Sequence, residues 1–142
     1  MPTIREAESD DLIQRCFPVM LELSRNVPRE DFLARVRRQM ASGYRIAFLE
    51  EDGVVRAVAG YRFVEMLAWG KAMYVDDLVT TEASRGTGCG SRLFDWLVAK
   101  ARQHGCDQFH LDSGVHRFAA HRFYLHKGMD ITSHHFAMML GC

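Results

Sequence analysis

Three glycines fall within five residues of one run, Leu78-Val79-Thr80-Thr81-Glu82-Ala83-Ser84-Arg85-Gly86-Thr87-Gly88-Cys89-Gly90-Ser91. Ahead of the run lie β-forming residues, and after it the apolar residues recur at helical spacing. A strand, a glycine loop and a helix in that order suit an anionic ligand. Glycine lets the backbone come close to a ligand and take up positive φ. The first amides of the following helix have no intrahelical acceptor, and the helix dipole favours negative charge there. A diphosphate is the ligand such a loop fits, and a tight strand-to-helix turn is the plain alternative.

Two well-known phosphate loops do not fit. A nucleotide-hydrolysing loop needs Gly-Lys followed by Ser or Thr, whereas this chain has Gly90-Ser91-Arg92. A dinucleotide loop needs G-x-G-x-x-G with an acidic residue about 20 positions on. Gly86-Thr87-Gly88-Cys89-Gly90 has a different spacing, although Asp107 lies near that distance, which keeps NAD binding as a runner-up. The histidines His116, His121, His126, His134 and His135 match neither His-Glu-x-x-His nor a zinc spacing, so no metal is expected. Cys89 lies inside the loop and reads as a small packed side chain, because a nucleophilic thiol needs an activating partner.

The elements that must hold this loop follow from periodicity. Leu12, Ile13, Cys16, Phe17, Met20 and Leu21 predict a helix over about 10–24, with Ser9 or Asp10 as its cap. Phe32, Leu33, Val36 and Met40 predict a second helix from Pro28 to Gly43. Residues 44–49 and 54–64 read as strands around the turn signal Asp52-Gly53, and 72–79 as a third strand. A helix after Gly90 carries Leu93, Phe94, Leu97 and Ala101 inward. A short strand at 109–111, a helix over about 117–127 and a final strand over 131–140 complete the order ααβββαβαβ, a mixed α/β fold. Met66, Leu67, Ala68 and Trp69 form an apolar run that reads as core or as a homodimer contact.

The 142 residues suit one domain, and 48% apolar residues supply its core. Eighteen basic and eighteen acidic residues balance to zero net charge, which speaks against a nucleic-acid partner. No apolar run approaches the ~20 residues that cross a bilayer, so no membrane partner is expected. The start, Met1-Pro2-Thr3-Ile4-Arg5-Glu6-Ala7-Glu8, lacks the basic and apolar regions of a secretory signal. A cytoplasmic location is therefore expected, and Cys16, Cys89, Cys106 and Cys142 read as reduced thiols.

The loop's Arg85-x-x-Gly88-x-Gly90 resembles the acyl-CoA pyrophosphate loop of the GNAT acetyltransferases. A second segment, Ala120-His121-Arg122-Phe123-Tyr124-Leu125-His126-Lys127-Gly128-Met129, resembles that family's Ala-x-x-[apolar]-Tyr-x-x-x-Gly-Phe motif. The two stand in the family's order and approximate separation, and the likeness in element order extends from about Tyr44 to Leu140. Arg117 stands where the family often has Asn, and Met129 where it has Phe.

The resemblance implies an N-acetyltransferase that moves an acetyl group from acetyl-CoA directly to a primary amine, on a small molecule or a peptide. It implies that the backbone of Leu78, Val79 and Thr80 pairs with the pantetheine arm and polarises the thioester carbonyl. The amides of Arg85, Gly86, Thr87, Gly88, Cys89, Gly90 and Ser91 would hold the pyrophosphate, and Tyr124 would be the general acid. For the base, Asp76, Asp77 and Glu65 are candidates, with Asp77 preferred and ordered water an alternative. Asp76 and Asp77 should alternate across their strand, one facing the acceptor and the other binding a nearby Arg. An acyl-CoA-binding module without catalysis is the rival reading; it would have no need of the Tyr124 hydroxyl.

Overall fold

The computed structural model describes residues 1–24 and 26–141. The chain divides into two compact units, Met1–His110 and Leu111–Cys142.

The first unit is built on a sheet ordered β1-β2-β3-β4-β5, with strands β1 (Thr3–Glu6), β2 (Arg45–Glu51), β3 (Val54–Met66), β4 (Gly70–Thr80) and β5 (Gln108–Leu111). The pairs β1/β2, β2/β3 and β3/β4 are antiparallel. At the β2–β3 turn Asp52 and Gly53 have φ of 54° and 75°, the pair of positive values that a two-residue hairpin turn requires. In β3 the consecutive residues Ala57, Val58, Ala59, Gly60 and Tyr61 are all buried, as in a strand covered on both faces. Helices α1 (Asp10–Arg15), α2 (Phe17–Met20) and α3 (Arg29–Met40) bury Ile13, Phe17, Phe32 and Val36 with Ile46, Phe48 and Val58 of the sheet. Helix α4 (Cys89–Gln103) packs on β3 and β4 and buries Leu93, Phe94, Leu97 and Ala101, the four residues its periodicity selects.

Three expectations are corrected. Strand β1 lies in a segment with no predicted element, because four residues at a sheet edge are too few to show alternation. The predicted first helix is two, since Pro18, at the start of α2, has no N–H to continue the ladder and its ring opposes the preceding turn. The predicted final strand over 131–140 has no regular structure. Its residues have β-forming character, but a strand exists only by pairing, and no strand among the described residues pairs with them.

The second unit contains one helix, α5 (Phe118–His126), close to the predicted 117–127. After it, Ile131, Phe136, Met138, Met139 and Leu140 are exposed.

Candidate active site

Strand β4 ends at Thr80, and a single 3-10 turn, Glu82–Ser84, leads to the glycine loop. Gly86 and Gly88 have φ of 81° and 89°, values that residues with side chains rarely adopt. No side chain caps the N-terminus of α4 at Gly88, so the first-turn amides of Cys89, Gly90 and Ser91 form an open anion cradle. Gly90 allows the helix to start against the strand, because a Cβ there would lie 2.7 Å from the Thr80 hydroxyl. Two amides of the predicted set are turned inward instead: Arg85 donates to the Glu82 carbonyl at 3.3 Å and Thr87 to the Ser84 carbonyl at 3.2 Å. These bonds, with Thr87 Oγ1 donating to the Ser84 carbonyl at 2.5 Å, hold the loop in shape. Glu22 was not anticipated from sequence. Its Oε1 accepts from the Glu82 amide at 3.0 Å and lies 3.7 Å from the Arg85 guanidinium, tying the loop to the chain that follows α2.

Leu78, Val79 and Thr80 pair with Ala59, Val58 and Ala57 of β3. On the other side of β4, the Asp107 amide donates to the Lys71 carbonyl at 2.7 Å, just before β5 begins. β5 is four residues long and lies next to β4 in the sheet, starting beside the beginning of β4. Asp107 also accepts from the Lys71 amide at 3.2 Å. This occupies the carboxylate that the dinucleotide alternative would need for a ribose.

The two aspartates of β4 do not divide cleanly between the two faces. The pairing slips between Gly60 and Tyr61, which face Asp77 and Val75 and leave Asp76 in a bulge. Asp77 Oδ2 accepts from the Tyr44 hydroxyl at 2.6 Å. Arg62 Nη2 donates to Asp76 Oδ2 at 2.5 Å, and the Arg62 guanidinium lies 5.2 Å from the centre of the Tyr44 ring. All four belong to one cluster. Burial raises the Asp77 carboxyl above the usual aspartate range, opposed by the Tyr44 hydrogen bond and reinforced by Asp76. Tyr44 is buried and its phenol is pushed far up, first by burial and then by Asp77. Asp77 is thus a hydrogen-bonded, desolvated carboxylate, Asp76 is neutralised by Arg62, and Glu65 is exposed near the end of β3.

Tyr44 could have been sought from Gly60, since glycine inside a strand often marks a close approach. A Cβ on Gly60 would lie 1.9 Å from the Tyr44 hydroxyl oxygen and 2.6 Å from Asp77 Oδ2.

In the second unit Tyr124 lies on α5, half-buried. Burial raises its phenol above the ordinary value, and nearby Arg117 opposes the shift, so the hydroxyl keeps its proton at neutral pH. Arg117 caps α5. His135 Nδ1 lies 3.6 Å from Asp112 Oδ1, and His121 Nε2 lies 2.7 Å from the Gly114 carbonyl oxygen.

Among the described residues no three His, Cys, Asp or Glu side chains gather as a metal site, and no helix is long and apolar enough to cross a membrane. Cys16, Cys89 and Cys106 are free thiols, burial pushes Cys16 up to about 12, and Cys142 lies outside the described residues. The run Met66 to Trp69 is not core: Leu67 is fully exposed and Met66 partly so, while the Trp69 ring stacks on His110 at 3.5 Å.

Strand β4 thus leads through Gly86 and Gly88, both at positive φ, into the uncapped N-terminus of α4. The sequence matches the Acetyltransferase (GNAT) family over residues 7–129, and the chain belongs to that family and is an acyltransferase. It is 34% identical over 122 residues to the uncharacterized N-acetyltransferase YhdJ of Bacillus subtilis, covering 84% of this chain and 86% of that protein. It is 39% identical over 54 residues to the aminoalkylphosphonate N-acetyltransferase of Salmonella typhimurium, covering 38% of this chain and 35% of that protein. Among solved structures, the aminoglycoside N-acetyltransferase AAC(6')-Iy in complex with CoA superposes with a TM-score of 0.85 at 14% identity, covering 100% of this chain and 96% of that one. That likeness is one of fold.

Proposed function

We propose that the protein transfers the acetyl group of acetyl-CoA to a primary amine by direct attack, without a covalent enzyme intermediate. The observation that carries this reading is the open N-terminus of α4, reached from β4 through Gly86 and Gly88 at positive φ. The amides of Gly86, Gly88, Cys89, Gly90 and Ser91 hold the pyrophosphate, and the backbone of Leu78, Val79 and Thr80 pairs with the pantetheine arm.

The co-substrate supplies an acyl group activated as a thioester. A backbone amide of β4 donates to the carbonyl oxygen as negative charge grows on it, the amine nitrogen bonds to the carbonyl carbon, and the carbon–sulfur bond breaks. Tyr124, matched to the family's acid, gives its proton to the departing sulfur; its raised phenol supports that assignment. The attacking amine loses a proton. Asp77 remains the candidate acceptor for it, directly or through water, with its carboxylate oriented by Tyr44. The free thiols of Cys16, Cys89 and Cys106 suit a reducing, cytoplasmic setting.

The deciding experiment follows release of free CoA thiol from acetyl-CoA across a panel of amines, amino acids, aminoglycosides and peptides, with EDTA present. Acceptor-dependent thiol release supports the reading. Failure of acetyl-CoA to bind, measured by calorimetry, overturns it.

A further inference from the structure

The structure contains a recess of about 480 Å³ lined by Arg35, Arg38, Gln39, Ser42 and Arg62. Four of these come from α3 and the turn just beyond it, at positions i, i+3, i+4 and i+7, and so share one face. The opposite, apolar side of α3 buries Phe32 and Val36. Arg62 reaches in from β3 and lies 3.4 Å from Gln39 Oε1 through Nη2.

The charges in this recess are unbalanced. Elsewhere on α3, Arg37 pairs with Asp10 at 2.5 Å and Arg29 lies over the Phe17 ring at 4.9 Å. Arg62 has Asp76. Among the described residues, Arg35 and Arg38 have no carboxylate within ion-pair distance. Two like charges three residues apart on a helix repel, and the chain as a whole has no positive surplus to explain them, with 18 basic and 18 acidic residues. An oxyanion between them would remove the repulsion and meet the planar donor fork that arginine presents to carboxylate or phosphate. Gln39 and Ser42 offer further donors.

The recess is coupled to the candidate chemistry through Arg62. Its guanidinium covers the ring of Tyr44, whose hydroxyl holds Asp77, the residue before the Leu78–Thr80 stretch. We infer that Arg35, Arg38 and Arg62 form the subsite for an anionic group on the acceptor, so the substrate class is a small amine that also carries a phosphate, phosphonate or carboxylate. The subsite itself stands on the arginine geometry, and its use for acceptor binding rests on the acyl-transfer reading above.

The test is a calorimetric titration of the full-length protein, without acetyl-CoA, using three amines of similar size: 2-aminoethylphosphonate, β-alanine and n-propylamine. The two anionic amines bind the wild type, and n-propylamine binds at least about tenfold more weakly. The Arg35→Gln/Arg38→Gln variant loses about tenfold or more in affinity for the anionic amines, while acetyl-CoA affinity stays unchanged. Comparing 2-aminoethylphosphonate with β-alanine distinguishes a tetrahedral from a planar oxyanion, and preference for either supports the subsite. Equal binding of n-propylamine, no binding of either anionic amine, or unchanged affinity in the variant would each overturn it. A wild type that binds anionic amines but not acetyl-CoA would refute the acyl-transfer reading while leaving the subsite standing.

Discussion

The hydroxyl of Tyr44 donates to Asp77 Oδ2 at 2.6 Å, across a gap that exists because residue 60 has no side chain. Tyr44→Phe therefore leaves a desolvated carboxylate without its donor. The expected cost is up to about 1.5–3 kcal/mol, the range for a hydrogen bond to a charged group. A fall in Tm, together with a further rise in the Asp77 pKa read by carboxyl-carbon NMR, checks it. An unchanged Asp77 titration would show that the bond has no electrostatic consequence.

Gly60→Ala forces a Cβ to within 1.9 Å of the Tyr44 hydroxyl and 2.6 Å of Asp77. Overpacking of this kind costs about 1–3 kcal/mol or more. Combining it with Tyr44→Phe removes the closest atom, so the double variant should be less destabilised than the sum of the two single variants. Denaturant unfolding of all four proteins measures that coupling, and strict additivity would exclude the clash as the cause.

The pH dependence of stability carries the mark of Asp77. Its folded-state pKa is raised above the ordinary value of 3.8, so the folded chain binds the proton more tightly than the unfolded chain. Its contribution is fully present below 3.8 and is lost as pH rises through the folded-state value. Asp77→Asn keeps an oxygen to accept from Tyr44 and removes the titration. The stability difference between wild type and variant should therefore shift against the wild type as pH rises through that window, and a difference independent of pH would contradict the desolvated placement.

Gly88 separates loop strain from ligand binding. It has φ of 89° with open space where a Cβ would lie, so Gly88→Ala should cost only about 1–2 kcal/mol of left-handed backbone strain. Gly88→Asp adds a carboxylate that caps the bare N-terminus of α4 itself and competes with the pyrophosphate. Acetyl-CoA affinity should fall much further for Asp than for Ala, with similar Tm. Equal affinities in the two folded variants would remove the loop from the binding site.

Tyr124→Phe keeps the ring and deletes the hydroxyl. The expected result is a kcat lower by about 10²- to 10⁴-fold, toward the low end because a thiolate leaves easily, with acetyl-CoA affinity retained. Full kcat with chemistry rate-limiting would move the proton-donating part to water or another group. Lowered Tm without a rate effect would mark Tyr124 as a packing residue.

What could be read in the sequence was local. The β4 strand, the glycines of the loop and the apolar stripe Leu93, Phe94, Leu97 and Ala101 each depend on neighbours within a few residues, so propensity and spacing suffice to place them. The glycine cradle at the start of α4 is legible for the same reason, and Asp77 stands out by its position beside Leu78.

What only the tertiary structure decided involves residues far apart in the chain. The bulge that leaves Asp76 unpaired comes from the register between two strands, and Tyr44 meets Asp77 across 33 positions. Arg35 and Arg38 share a recess with Arg62 only because α3 lies beside β3. The strand expected over 131–140 shows the same limit from the other side: β-forming residues become a strand only when a partner supplies the ladder. Local preference selects the elements, while burial and pairing between distant segments select which side chains meet.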